Sequence, residues 1–61
     1  MRFEPVKGYR FPVVRVWDGP LPLFTLSFTE DGEPINPPPA VEADTHADAW
    51  QAWKDQDRGA D

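Results

Sequence analysis

From Phe24 to Thr29 the chain alternates strictly, with Phe24, Leu26 and Phe28 set against Thr25, Ser27 and Thr29. A period of two puts one face of a strand on a core and the other in water, so a strand is expected over residues 22–29. Residues 9–17, "YRFPVVRVW", are rich in β-branched and aromatic side chains and predict a second strand. Its apolar phase slips, from Tyr9, Phe11 and Val13 to Val14 and Val16, which implies a bulge near Val13 or a strand covered on both faces. Pro12 lacks an amide proton, which favours a sheet edge for this strand or a free side for that residue. Asp18, Gly19 and Pro20 make a dense turn signal between the two strands, so they read as a hairpin.

Asp31-Gly32 marks a further turn, and Ile35 begins a third short strand. Pro37, Pro38 and Pro39 follow, so residues 34–39 read as a stiff, extended connector of polyproline type. The PxxP spacing of Pro34 and Pro37 has acidic flanks and no arginine to orient it, which favours a spacer over a recognition motif.

The period then changes to that of a helix. At about 100° per residue, His46, Ala49, Trp50 and Trp53 share one side, while Asp48, Gln51 and Asp55 fall opposite, with Asp44 on the same line. A helix is expected over residues 46–57, after a short extended lead-in at 41–43. Thr45 is its expected N-cap, with Asp48 three residues on in a capping-box arrangement. Asp44 and Asp48 also suit the positive end of the helix dipole. Trp50 and Trp53 should pack on the face made by Phe24, Leu26 and Phe28. The fold class is therefore α+β: one domain over residues 1–58, a small antiparallel sheet against one C-terminal helix, and a frayed tail at 59–61.

Composition changes this picture in one respect. A chain of 61 residues is short, and one of about this length buries only about 60% of the surface its unfolded state exposes. With no cysteine and a single histidine, neither a disulfide nor a structural zinc site can compensate. The eight aromatic side chains, three Trp, one Tyr and four Phe, must supply the core, since each can bury roughly 150–250 Å². No apolar run reaches the length of a signal peptide or a membrane span, so a cytoplasmic location away from membranes is expected.

Charge is polarised along the chain. Residues 1–17 carry Arg2, Lys7, Arg10 and Arg15 against Glu4, a net of 4 − 1 = +3, and residues 18–61 carry ten acids against Lys54 and Arg58, a net of −8. The overall charge of −5 repels nucleic acid and anionic membranes, and admits a basic protein partner. Catalysis finds little support. Ser27 lies in mid-strand, His46 is the lone histidine and cysteine is absent, so no nucleophile, base and orienting group assemble. The Asp44-x-His46-x-Asp48 string imitates a metal site, but a helix turns His46 away from Asp48. Glu30, Asp31 and Glu33 read as the solvated flank of a turn. Neither cofactor nor metal is expected.

What remains is binding by the surface. Asp44, Asp48 and Asp55, with Glu42 just before them, form an acidic ridge on the outer side of the helix. Their spacings are roughly 6 and 10 Å along the axis at about 1.5 Å per residue. Trp17, at a strand end with Arg15 and Tyr9 nearby, is the expected contact cluster outside that ridge. These surfaces suit a non-catalytic acidic module that occupies a basic, nucleic-acid-binding surface of a host protein. Phage-encoded inhibitors of the anti-CRISPR or polymerase-inhibiting kind belong to that class. The alternatives are an assembly subunit that associates through its sheet edge and aromatic cluster, including as a homodimer, and an antitoxin-like partner of a basic protein.

Overall fold

The computed structural model describes residues 1–59, with side chains to residue 56. Four strands precede one helix: β1 Arg2–Val6, β2 Val13–Asp18, β3 Leu21–Phe28, β4 Pro34–Ile35 and α1 Ala43–Gly59. All neighbours are antiparallel and the strand order is β1-β2-β3-β4, a meander built without crossovers. Register explains how the core assembles. Phe3, Val16 and Phe24 lie side by side across three strands, as do Pro5, Val14 and Leu26. These two rows and Phe28 form the sheet face that α1 covers. Val14, Val16, Leu26, Phe28 and Ala49 are buried there, with Phe3, Phe24, Val41, Trp50 and Trp53 packed around them. Ala49 is fully buried in this cluster, and its small side chain lets the helix pack closely while Trp50 and Trp53 supply the bulk.

Two glycines set the turns. Asp18 pairs with Leu21, leaving Gly19 and Pro20 as a two-residue loop. Glycine at the first loop position with φ of 58° is the type II′ arrangement, whose twist suits a hairpin, and proline fits the second position. Between β3 and β4, Thr29 and Glu33 close a tight turn: Thr29 N donates to Glu33 O at 2.8 Å, Gly32 N donates to Thr29 O at 3.0 Å, and Glu33 N donates to Thr29 Oγ1 at 3.1 Å. Gly32 has φ of 91° and lies directly beneath the Trp50 indole.

The α+β architecture, the β3 strand, the short strand at Ile35 and the inward-facing Trp50 and Trp53 agree with the sequence expectations; several local features differ. β1 is an additional strand. β2 starts at Val13 rather than at residue 9, which leaves Tyr9 and Phe11 exposed in the preceding loop. It is also an inner strand rather than an edge. Pro12 is tolerated because it sits just before the β1–β2 ladder, where its carbonyl accepts Phe28 N at 2.9 Å and no amide proton is needed. The register shift lies between Val16 and Trp17, where Leu23 is the extra residue opposite, not near Val13. Val13 and Val14 instead satisfy the alternative explanation of the phase slip, at 2% and 0% exposed on opposite faces of the strand.

The helix begins three residues earlier than expected. Glu42 O accepts both Thr45 N at 3.1 Å and His46 N at 3.3 Å, so Glu42 holds the cap position and Thr45 is already in the first turn. Val41 decides this: packed against the core and tied to Pro38 O at 3.2 Å, it delivers the chain to α1 at Ala43. The connector is not one extended rod either. It begins as β4, reverses at Asn36 with φ of 46°, and ends in the turn between Pro38 and Val41. Of the tail expected to fray, Gly59 closes α1 and residues 60–61 lie outside the described residues.

Candidate functional site

The two-layer build leaves two opposite surfaces, the outer side of α1 and the sheet face turned away from it. On α1 the apolar side is fully used. Ala49, Trp50 and Trp53 meet the sheet, and the His46 ring stands edge-on to Phe28 with centroids 6.3 Å apart. The remaining side carries Asp44, Asp48 and Asp55, all exposed, with exposed Glu42 immediately before the helix. Gln51 lies between the acids, and its Nε2 donates to Asp55 Oδ1 at 2.9 Å. All four acids expected to form a ridge are exposed; helical period puts Asp44, Asp48 and Asp55 on one side of α1, while Glu42 stands at its start. Exposed carboxylates of this kind contribute little to the fold, about 0–1 kcal/mol for each pair they make, but together they steer an approaching cationic partner.

The sheet face away from the helix carries a second cluster. Arg2 stands opposite Trp17, and Glu4 opposite Arg15, on β1 and β2. Trp17 Nε1 donates to Glu4 Oε1 at 3.1 Å, while the Arg2 and Arg15 guanidiniums lie over the indole at 5.1 and 6.0 Å from its centroid. Such stacking fixes the indole, half-buried at the strand end, and holds two cations beside it. Trp17 and Arg15, which the sequence groups in one cluster, lie together in the fold. Tyr9 does not join them: it pairs with Phe11, ring centroids 6.0 Å apart, in the loop that leads into the opposite end of β2. Arg2 and Glu4 escaped the sequence reading because β1 did. The available signal was the alternation of Phe3 and Pro5 with Arg2 and Glu4, short and interrupted by proline.

The other chemically suggestive residues are dispersed. His46 Nδ1 lies 3.1 Å from the Glu42 carbonyl, and since a carbonyl only accepts, Nδ1 is the protonated nitrogen. Its Nε2 is buried without a partner, beside Phe28 rather than beside Asp44 or Asp48. Glu30, Asp31 and Glu33 are exposed around the β3–β4 turn, and Ser27 sits on β3 opposite Val13. Among the described residues no three of His, Cys, Asp and Glu converge as a metal site, no pocket forms, and no helix is long and apolar enough to cross a membrane. No protein-family model, curated protein or solved structure matches the chain.

Proposed function

We propose that the chain is a protein-binding module whose outer α1 ridge, Glu42, Asp44, Asp48 and Asp55, occupies a basic surface of another protein, such as the nucleic-acid-binding groove blocked by phage-encoded inhibitors. The observation that carries this reading is the division of labour on α1. Among the described residues the helix packs on the sheet through Ala49, Trp50, Trp53 and His46, so the side that carries Asp44, Asp48 and Asp55 is left exposed to solvent and to a partner. Carboxylates repeated along one rigid line attract lysine and arginine over a distance that flexible side chains on a loop do not hold.

The test is capture from a bacterial lysate by the wild-type chain and by Asp48→Lys/Asp55→Lys, at about 50 and about 500 mM salt, where the Debye length shrinks severalfold. The expected result is a basic protein retained by wild type at low salt only, and displaced by added DNA or RNA. Equal recovery by the two proteins removes the ridge from consideration.

One observation favours a second reading, assembly through the sheet. Among the described residues β4 pairs with Ser27 and Phe28 alone, so residues 21–26 of β3 have no neighbouring strand on that side, and Leu21 and Leu23 of this segment are 64% and 46% exposed. An open edge with apolar side chains pairs with another strand. Binding that survives both aspartate substitutions but fails with Thr25→Pro selects this reading.

A further inference from the structure

The square of Arg2, Glu4, Arg15 and Trp17 has more order than a scatter of surface charges. The register puts the two arginines on one diagonal, and Trp17 and Glu4 on the other, joined by the 3.1 Å hydrogen bond between indole and carboxylate. Diagonal neighbours on one sheet face are about 7–8 Å apart. Each guanidinium lies over the indole, 5.1 and 6.0 Å from its centroid, and a guanidinium so placed has N–H donors to spare for a carboxylate. Among the described residues neither arginine has a carboxylate partner, although Glu4 stands opposite Arg15; Glu4 is turned to the indole instead.

We propose that this face docks the acidic helix of a second copy of the chain, with Arg2 and Arg15 receiving Asp44 and Asp48. The two aspartates are one helical turn apart, about 6 Å along the axis, close to the diagonal spacing of the arginines, and both are exposed. Within one molecule the complementary surfaces cannot meet, because the sheet and α1 lie between them. Each protomer thus presents the cationic pair on one side and the anionic pair on the other. The contact is heterologous, head to tail, and extends to further copies instead of closing as a two-fold dimer. A nucleic-acid strand is the weaker fit for the same face. The guanidiniums already cover the indole where a base would stack, and the chain's net charge of −5 opposes a polyanion. The inference uses the same ridge as the proposed function but not its partner, and the basic face serves here alone.

Sedimentation velocity over a concentration series, at about 50 and about 500 mM salt, reads the association directly. The wild type is expected to rise above its 6.9 kDa monomer mass with concentration at low salt, and to fall back at high salt. Arg2→Ala/Arg15→Ala and Asp44→Asn/Asp48→Asn are each expected to stay monomeric alone. Mixed, they should form a one-to-one complex that grows no further, since one intact face of each kind remains. Circular dichroism checks that both fold. Arg2→Lys/Arg15→Lys, which keeps the charge and loses the planar stacked donors, should associate more weakly than wild type. A monomeric wild type at all concentrations, a mixture that does not recombine, or association by either double variant alone overturns the proposal. So does an oligothymidylate probe that binds wild type but not Arg2→Ala/Arg15→Ala when no self-association is seen. Capture of a basic partner by Arg2→Ala/Arg15→Ala separates the two readings, because the proposed function needs only the ridge.

Discussion

Replacing Gly32 by alanine isolates the contact that locks the helix onto the sheet. A Cβ at this position would lie 2.6 Å from both Cε2 and Nε1 of Trp50, and 3.0 Å from Cδ2, whereas carbon atoms at ease are about 3.5–4.0 Å apart. The neighbour is a rigid bicyclic ring, not the end of a flexible chain, and it also packs against Phe28 at a centroid distance of 5.5 Å. Relief therefore requires the indole or the β3–β4 turn to shift by about 1 Å, and overpacking of this kind costs about 1–3 kcal/mol. The φ of 91° adds a backbone penalty of about 1–2 kcal/mol for a residue with a Cβ. A more restricted unfolded chain returns about 0.4–1 kcal/mol. The expected loss is about 2–4 kcal/mol, a large share of the ~5–15 kcal/mol that holds a typical domain. At about 4–8 °C per kcal/mol for a chain of this size, Tm should fall by about 8–32 °C.

Gly19→Ala is the matched control, since its φ is 58° but nothing lies within 4 Å of the added carbon. It should cost only the backbone part, about 1–2 kcal/mol before the unfolded-state gain. Urea denaturation followed by tryptophan fluorescence and circular dichroism measures both. A double-mutant cycle completes the test, because in a Trp50→Leu background the clash is gone and Gly32→Ala should cost no more than Gly19→Ala. Equal losses for Gly32→Ala and Gly19→Ala in the wild-type background, or an excess that persists without the indole, would refute the reasoning.

Two further outcomes follow from the core and the helix start. Phe28→Ala removes a side chain that is fully buried and touches both Trp50 and His46; a loss of about 3–5 kcal/mol is expected, enough to leave the chain largely unfolded at 37 °C by circular dichroism. Thr45→Ala should cost less than about 0.5 kcal/mol in thermal denaturation, because Thr45 is inside the first turn and not at the cap. A loss near the ~1 kcal/mol typical of a cap would move the helix start back to Thr45.

How far the fold could be read from the chain depended on whether the deciding contact was local. Phe24, Leu26 and Phe28 announce their strand because one face is wet and one is packed, and the register confirms that division. His46, Ala49, Trp50 and Trp53 announce the helix face in the same way. β1 is harder to read: its alternation of Phe3 and Pro5 with Arg2 and Glu4 is short and includes a proline, and Phe3 becomes a core residue only when Val16 and Phe24 stand beside it. The start of α1 was misplaced for a related reason. Thr45 and Asp48 match a local capping rule, but Val41 docking on the core and bonding to Pro38 sets where the chain enters the helix. A distant contact outweighed a cap worth about 1 kcal/mol.

The surfaces repeat that lesson. The acidic ridge needed only helical period to be seen, whereas the square on the sheet joins residues 11 to 15 positions apart through the β1–β2 register. Because side chains alternate along a strand, the register that sends Phe3 to the core also sends Arg2 and Glu4 to the opposite face. A slip of one residue in β1 would expose Phe3 and break the Trp17 to Glu4 hydrogen bond together. The edge strand is thus held from both sides, by an apolar row beneath and by the stacked arginines and indole above. Part of the charge asymmetry along the chain, +3 over residues 1–17 and −8 over the rest, thereby becomes an asymmetry in space. Arg2 and Arg15 face away from the helix and Asp44, Asp48 and Asp55 away from the sheet, whereas Lys7 and Arg10 lie in the β1–β2 loop and Glu30, Asp31 and Glu33 around the β3–β4 turn.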